Sequence, residues 1–169
     1  MPQNDQELLT RLQLNSVDFV VIGGVCCIFH GVPLATFDLH ICCPFDEQTL
    51  YRIQAAVRDL HPRHRLAANK LPLELTPNLA SRLKNLYLQT DLGILDCLGE
   101  VAGIGNYQQA EIRSVEGQLP YGHFKFLNLD AIIDAKQSAG REQDLAALTY
   151  LRPIRERLKE NPKNPETSQ

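Results

Sequence analysis

The chain has 169 residues, 44% of them hydrophobic and 22% charged, with a formal net charge of −3. That length and apolar share fill the core of about one domain, and the slight acidity gives no broad positive field to draw in nucleic acid or an anionic membrane. No apolar run approaches the ~20 residues of a membrane span, and Met1-Pro2-Gln3-Asn4-Asp5 lacks the basic-then-apolar pattern of a secretory leader, so a cytoplasmic protein is expected.

In chain order, Leu8, Leu9 and Leu12 form the stripe of an opening helix over Asp5 to Leu14, capped by Asn4 or Asp5. A strand is predicted at Asp18 to Ile22. A short, nearly all-apolar buried helix follows at Gly24 to His30, closed by Gly31 and Pro33. Thr36 to Cys43 reads as a second strand. Asp46 then caps an amphipathic helix to about Leu60, with Leu50, Ile53, Val57 and Leu60 facing inward. His61 to Arg82, poorly patterned and carrying three prolines, is read as loop with a short strand or helical turn at most. Strands are expected at Leu86 to Thr90 and Leu92 to Leu98, a glycine-punctuated loop at Gly99 to Gly105, and a helical turn at Tyr107 to Ala110. Glu111 to Val115 and Tyr121 to Phe126 read as hairpin strands around Glu116-Gly117. Asn128 caps a helix to about Ala139, Gly140 breaks it, and a last helix covers Glu142 to Leu158. From Glu160 onward the chain has nothing to bury and is expected to be a disordered tail. The fold class is therefore mixed α/β (α+β), a single domain over residues 1–159 with a sheet flanked by helices and a C-terminal helical pair.

The most informative stretch runs from Phe19-Val20-Val21-Ile22 through Gly23-Gly24 to Asp38-Leu39-His40-Ile41. Two glycines after a β-prone run mark a tight turn or a close approach to a ligand. Asp38 and His40, two apart on a strand, face the same way and are both potential metal ligands. Asp96, set between Leu95 and Cys97, is the other acid of interest, since charge is rarely buried without a purpose or partner. A salt bridge or strand-end cap explains Asp96 equally well, and solvent exposure explains Asp38. Lys136 is either a phosphate contact or a partner for Asp134 or Asp144, and Arg141 and Asp144 can pair three residues apart. His30, at a helix end, reads as structural. The basic run His61-Pro62-Arg63-His64-Arg65 could touch phosphate or RNA or be a solvated loop; no aromatic residues alternate with it to stack bases. The five cysteines, four in the pairs Cys26-Cys27 and Cys42-Cys43, read as reduced, buried residues. A zinc site of Cys42 or Cys43 with His40 lacks the usual spacing.

The order strand, Gly23-Gly24, helix, strand with Asp38-x-His40 resembles the nucleotidyltransferase superfamily, the polymerase β-like fold. Thirteen residues separate Gly24 from Asp38, within the spacing of that motif. Leu129 to Lys136 with Gly140-Arg141-Glu142-Gln143-Asp144-Leu145 resembles the lysine-plus-Arg-x-x-Asp helix pair of small bacterial members. The resemblance implies transfer of a nucleotidyl group from an NTP to an acceptor. It implies Asp38, His40 and Asp96 as catalytic and metal-binding residues, and Gly23, Gly24, Thr36 and Lys136 as nucleotide-binding. The implied cofactor is a divalent metal, magnesium or manganese. His40 stands where relatives carry a second acid, which lowers the site charge from −3 to −2 and favours zinc, manganese, iron or nickel over magnesium. Leu34 and Phe37 stand where relatives are often charged. These departures keep open a catalytically inactive nucleotide-binding module, or a protein that meets a partner or a second copy through the apolar surface near Leu34 and Phe37. His40 can also be a polar strand residue that binds no metal.

Overall fold

A computed structural model of the chain describes residues 3–160; the expected tail lies outside them except for Glu160, which closes the last helix. Helix α1 (Asp5–Leu14) buries Leu8, Leu9 and Leu12, and the Asn4 side chain caps it by accepting from the Glu7 amide. Strand β1 (Val20–Ile22) leads directly into α2 (Gly23–Phe29), and β2 (Asp38–Cys42) follows. Asp46 caps α3 (Glu47–Val57), whose buried Leu50, Ile53 and Val57 continue to Leu60 in a 3₁₀ turn at Arg58–Leu60. The unpatterned segment holds a two-residue strand β3 (Arg63–His64) and one helical turn α4 (Pro77–Ala80). Strands β4 (Asn85–Thr90) and β5 (Gly93–Leu98) form a hairpin. Next come β6 (Glu100–Val101), β7 (Gly105–Asn106), α5 (Tyr107–Ile112), β8 (Ser114–Leu119) and β9 (Gly122–Leu127). Asn128 caps α6 (Leu129–Ala139) by accepting from the Ala131 amide, and Gly140, at φ +64°, ends it before α7 (Glu142–Glu160).

Seven strands form one mixed sheet in the order β3-β4-β5-β2-β1-β9-β8, while β6 and β7 make a separate small ladder. Two pairings are parallel, β2 with β5 and β1 with β9, and the remainder are antiparallel. Helix α2 lies against β1, β2 and β9, α1 packs on α3, and α6 on α7. The core between sheet and helices is mostly aliphatic, with Leu39, Ile41, Leu88 and Leu95 among its fully buried side chains and Phe126 as an aromatic member. No helix among the described residues is long and apolar enough to cross a membrane.

The structure departs from the predicted elements at several places. Asp18 and Phe19 lie ahead of β1, and Thr36 and Phe37 ahead of β2, instead of within them. The short helix begins at Gly23, one residue early, and its Ile28 is exposed. The loop over Gly99 to Gly105 contains the β6–β7 ladder. The largest correction concerns the C-terminal hairpin. Glu111 and Ile112 are helical, and β8 continues straight through Glu116-Gly117, with the turn at Pro120-Tyr121. Gly117 serves close approach, not turning: a Cβ there would meet the Phe126 ring at 2.5 Å and the Phe29 ring at 2.8 Å. Those two rings stack at 4.0 Å, with planes 7° apart, over that position.

Candidate functional site

One row across the sheet builds the site. Ile22 of β1 pairs with His40 of β2, His40 with Asp96 of β5, and Asp96 with Tyr87 of β4. Beyond β4, the Arg65 amide donates to the Tyr87 carbonyl at 2.9 Å, which places Arg65 at the end of the same row. Side chains at equivalent register share a face, so His40, Asp96 and Arg65 converge. His40 Nε2 lies 3.1 Å from Asp96 Oδ2 and 3.5 Å from Asp38 Oδ2. The Thr36 hydroxyl donates to Asp38 Oδ1 at 3.0 Å and so fixes the third member.

The two glycines are explained by the strand facing them. Gly23 has φ +67°, and a Cβ on it would lie 2.7 Å from His40 Nδ1. A Cβ on Gly24 would lie 2.6 Å from the Thr36 hydroxyl. The double glycine thus lets the start of α2 press on the side chains of His40 and Thr36. His40 Nδ1 is packed against that backbone, and Nε2 is the ring nitrogen turned to the carboxylates.

Lys136 and Arg141 are both engaged by Asp144. Lys136 Nζ donates to Asp144 Oδ1 at 2.7 Å, and Arg141 Nε to Oδ2 at 2.7 Å. Asp144 is 0% exposed and Lys136 keeps 12% of its side-chain surface. Burial works to raise the Asp144 carboxyl, and the hydrogen bonds from Arg141 and Lys136 outweigh it, leaving it below the ordinary carboxylate range. Between this corner and the sheet runs a cleft with two arms that share Asp38, His40, Lys136, Arg141 and Gln143. One arm, about 340 Å³, is walled by Val32, Leu34, Phe37, Ala147 and Tyr150; the other, about 420 Å³, by Arg65, Tyr87, Leu98 and Ile132. Thr36 and Gly24 line the first arm and Gly23 the second. Every sequence-predicted site residue therefore borders one space, and the apolar character expected from Leu34 and Phe37 belongs to its first arm.

Asp38, His40 and Asp96 each offer a ligand atom, and these atoms lie within 4.8 Å of one another. Their chemistry suits a divalent ion with mixed nitrogen and oxygen preference. Asp96 is 2% exposed, and its Oδ1 is buried without a hydrogen-bond partner among the described residues. Buried carboxylate oxygens are normally satisfied, so this atom fits a cation. No cysteine joins the cluster. All five are buried free thiols, and neither Cys42 nor Cys43 offers a ligand atom to the group formed by Asp38, His40 and Asp96. His30, at the C-cap of α2, contacts the Leu127 carbonyl through Nε2 at 2.7 Å and is structural.

Sequence reasoning read Arg65 only as part of a basic run open to phosphate, RNA or solvent, and missed its place beside Asp96. Its guanidinium contacts Asp96 Oδ2 and rests 5.7 Å from the centre of the Tyr87 ring. The signal was the lone acid in an apolar strand, which demands a counter-charge, but β3 is too short to reveal which arginine the sheet would supply. Counting it, three cations (Arg65, Lys136, Arg141) face three carboxylates (Asp38, Asp96, Asp144) around the cleft. Comparison with protein-family models gives no match, and comparison with curated proteins gives none either.

Proposed function

We propose that the cleft binds a nucleoside triphosphate with a divalent ion and transfers its nucleotidyl group to an acceptor. The observation that carries this reading is the convergence of Asp38, His40 and Asp96 from two adjacent parallel strands onto one cleft. These three residues would hold the ion, which supplies Lewis acidity toward a phosphoryl oxygen when bound. Thr36 orients Asp38 by its hydrogen bond, and Gly23 fixes the His40 ring by contact. The apolar arm, with the exposed rings of Phe37 and Tyr150 on its wall, offers surfaces for a planar base. Nucleotidyl transfer asks little more of side chains than such positioning and charge. The His40 imidazole favours manganese or zinc over magnesium. The slight net acidity makes a small molecule or a protein hydroxyl a better acceptor than a nucleic acid.

A second reading, a nucleotide-binding module without catalysis, is favoured by the pairing inside the cleft. Arg65 is committed to Asp96, and Lys136 and Arg141 to Asp144. Thermal melting with each NTP and magnesium, manganese or zinc separates the readings. A ligand at a hundredfold its dissociation constant adds ~2.7 kcal/mol, and at this chain length that raises Tm by roughly 5–10 °C. His40→Asp should shift the metal preference toward magnesium. Release of pyrophosphate with a nucleotide-labelled acceptor supports the transferase. Stabilisation without turnover supports the binding module, and no shift with any pair of nucleotide and ion removes both.

A further inference from the structure

We propose that Arg65 is a tethered counter-ion that competes with a divalent ion for Asp96 and thereby sets the metal affinity of the site; this rests on the metal reading given above. The Asp96 oxygen that reaches His40 Nε2, at 3.1 Å, is Oδ2, and the same oxygen is the one Arg65 Nη2 holds. An ion gathering Asp38, His40 and Asp96 therefore sits beside a full positive charge on the same carboxylate, whichever Asp96 oxygen it takes. The pairing is incomplete: Arg65 Nε and Asp96 Oδ1 are both buried, and neither has a hydrogen-bond partner among the described residues. A guanidinium and a carboxylate can meet through two parallel bonds, yet these two meet through one and leave a donor and an acceptor unused. Such a pair is held by position more than by mutual satisfaction. The position comes from the backbone, through the Arg65 amide on the Tyr87 carbonyl and the guanidinium over the Tyr87 ring.

With His40 neutral, Asp38 and Asp96 carry two negative charges and Arg65 returns one positive. The triad and Arg65 together thus carry a net charge of −1, and the triad alone −2 once Arg65 is removed. The apo fold gains a buried acid that is never left without a counter-charge.

Manganese binding to Arg65→Gln, followed by the electron paramagnetic resonance of the free ion, tests this. Arg65→Gln should bind manganese about tenfold or more tightly than the native chain, while Arg65→Lys, which keeps the charge, should stay near the native affinity. Equal or weaker binding by a folded Arg65→Gln overturns the proposal while leaving the metal site intact. If neither protein binds manganese or zinc at millimolar concentration, the metal reading itself falls and takes the proposal with it. Should Arg65→Gln fail to fold, the native chain carries the test. The buried Arg65 Nε–H resonance should move during a zinc titration in step with the His40 ring signals, and an unmoved Arg65 signal beside a zinc-shifted His40 overturns the proposal.

Discussion

Asp144→Ala should lower the unfolding free energy by about 3–5 kcal/mol, read from urea denaturation at neutral pH. Asp144 is fully buried and is the shared anchor of Lys136 on α6 and Arg141 at the start of α7. Its loss strands a mostly buried ammonium, because Arg141 is exposed enough to turn to water and Lys136 is not. The cost comes from that uncompensated charge, so removing both partners should be mild: Lys136→Met with Asp144→Leu should recover most of the lost stability. A single-variant loss below about 1 kcal/mol, within the range of an exposed pair, would sink this account. The same carboxyl makes stability sensitive to acid. Its folded pKa lies below the ordinary value of 3.8, so its contribution is fully present above that pH. The contribution is lost as pH falls through the lower, folded value. The native chain should therefore lose stability below about pH 4 more steeply than Asp144→Ala does.

Gly23→Ala should cost about 2–4 kcal/mol and displace His40 from the carboxylates. Two effects add. The backbone at φ +67° disfavours any side chain, and the new methyl would sit 2.7 Å from His40 Nδ1. The second effect is conditional on the ring, which gives the test its logic. In a His40→Ala background Gly23→Ala should retain only the backbone share, about 1–2 kcal/mol. If the cost is the same with and without the ring, the glycine is needed for the turn alone. The same cycle, repeated with metal binding as its readout, reports whether His40 is held in place by the helix start.

The elements that were legible in the sequence are those whose signal is local. Asn4, Asp46 and Asn128 announce helix starts by their capping chemistry, and the leucine spacing of α1 and α3 fixes the buried faces. Asp38, His40 and Asp96 were nameable because strand alternation puts the first two on one face and an acid in an apolar strand stands out. What was hidden depends on partners distant in the chain. Gly117 reads as a turn glycine until the stacked rings of Phe29 and Phe126, from two other elements, are laid across it. Lys136 reads equally as a phosphate contact or as a partner of Asp134 or Asp144, and only the packing of α7 on α6 selects Asp144. Arg65 sits in a segment with no periodicity, and only the β3–β4 pairing carries it to the row that ends at Asp96.

The placement of β1 has a consequence for how the chain assembles. This three-residue strand is central in the sheet, yet its parallel neighbour β9 arrives about a hundred residues later, with Val20 opposite Lys125 and Val21 opposite Phe126. Until that segment has left the ribosome, one edge of β1 stays open, and its apolar Val20-Val21-Ile22 is a template for pairing with another nascent chain. Closing so long a loop is slow. Chains cut before Gly122 should therefore collect as aggregates in a pelleting assay, whereas chains ending at Glu160 should remain in the supernatant.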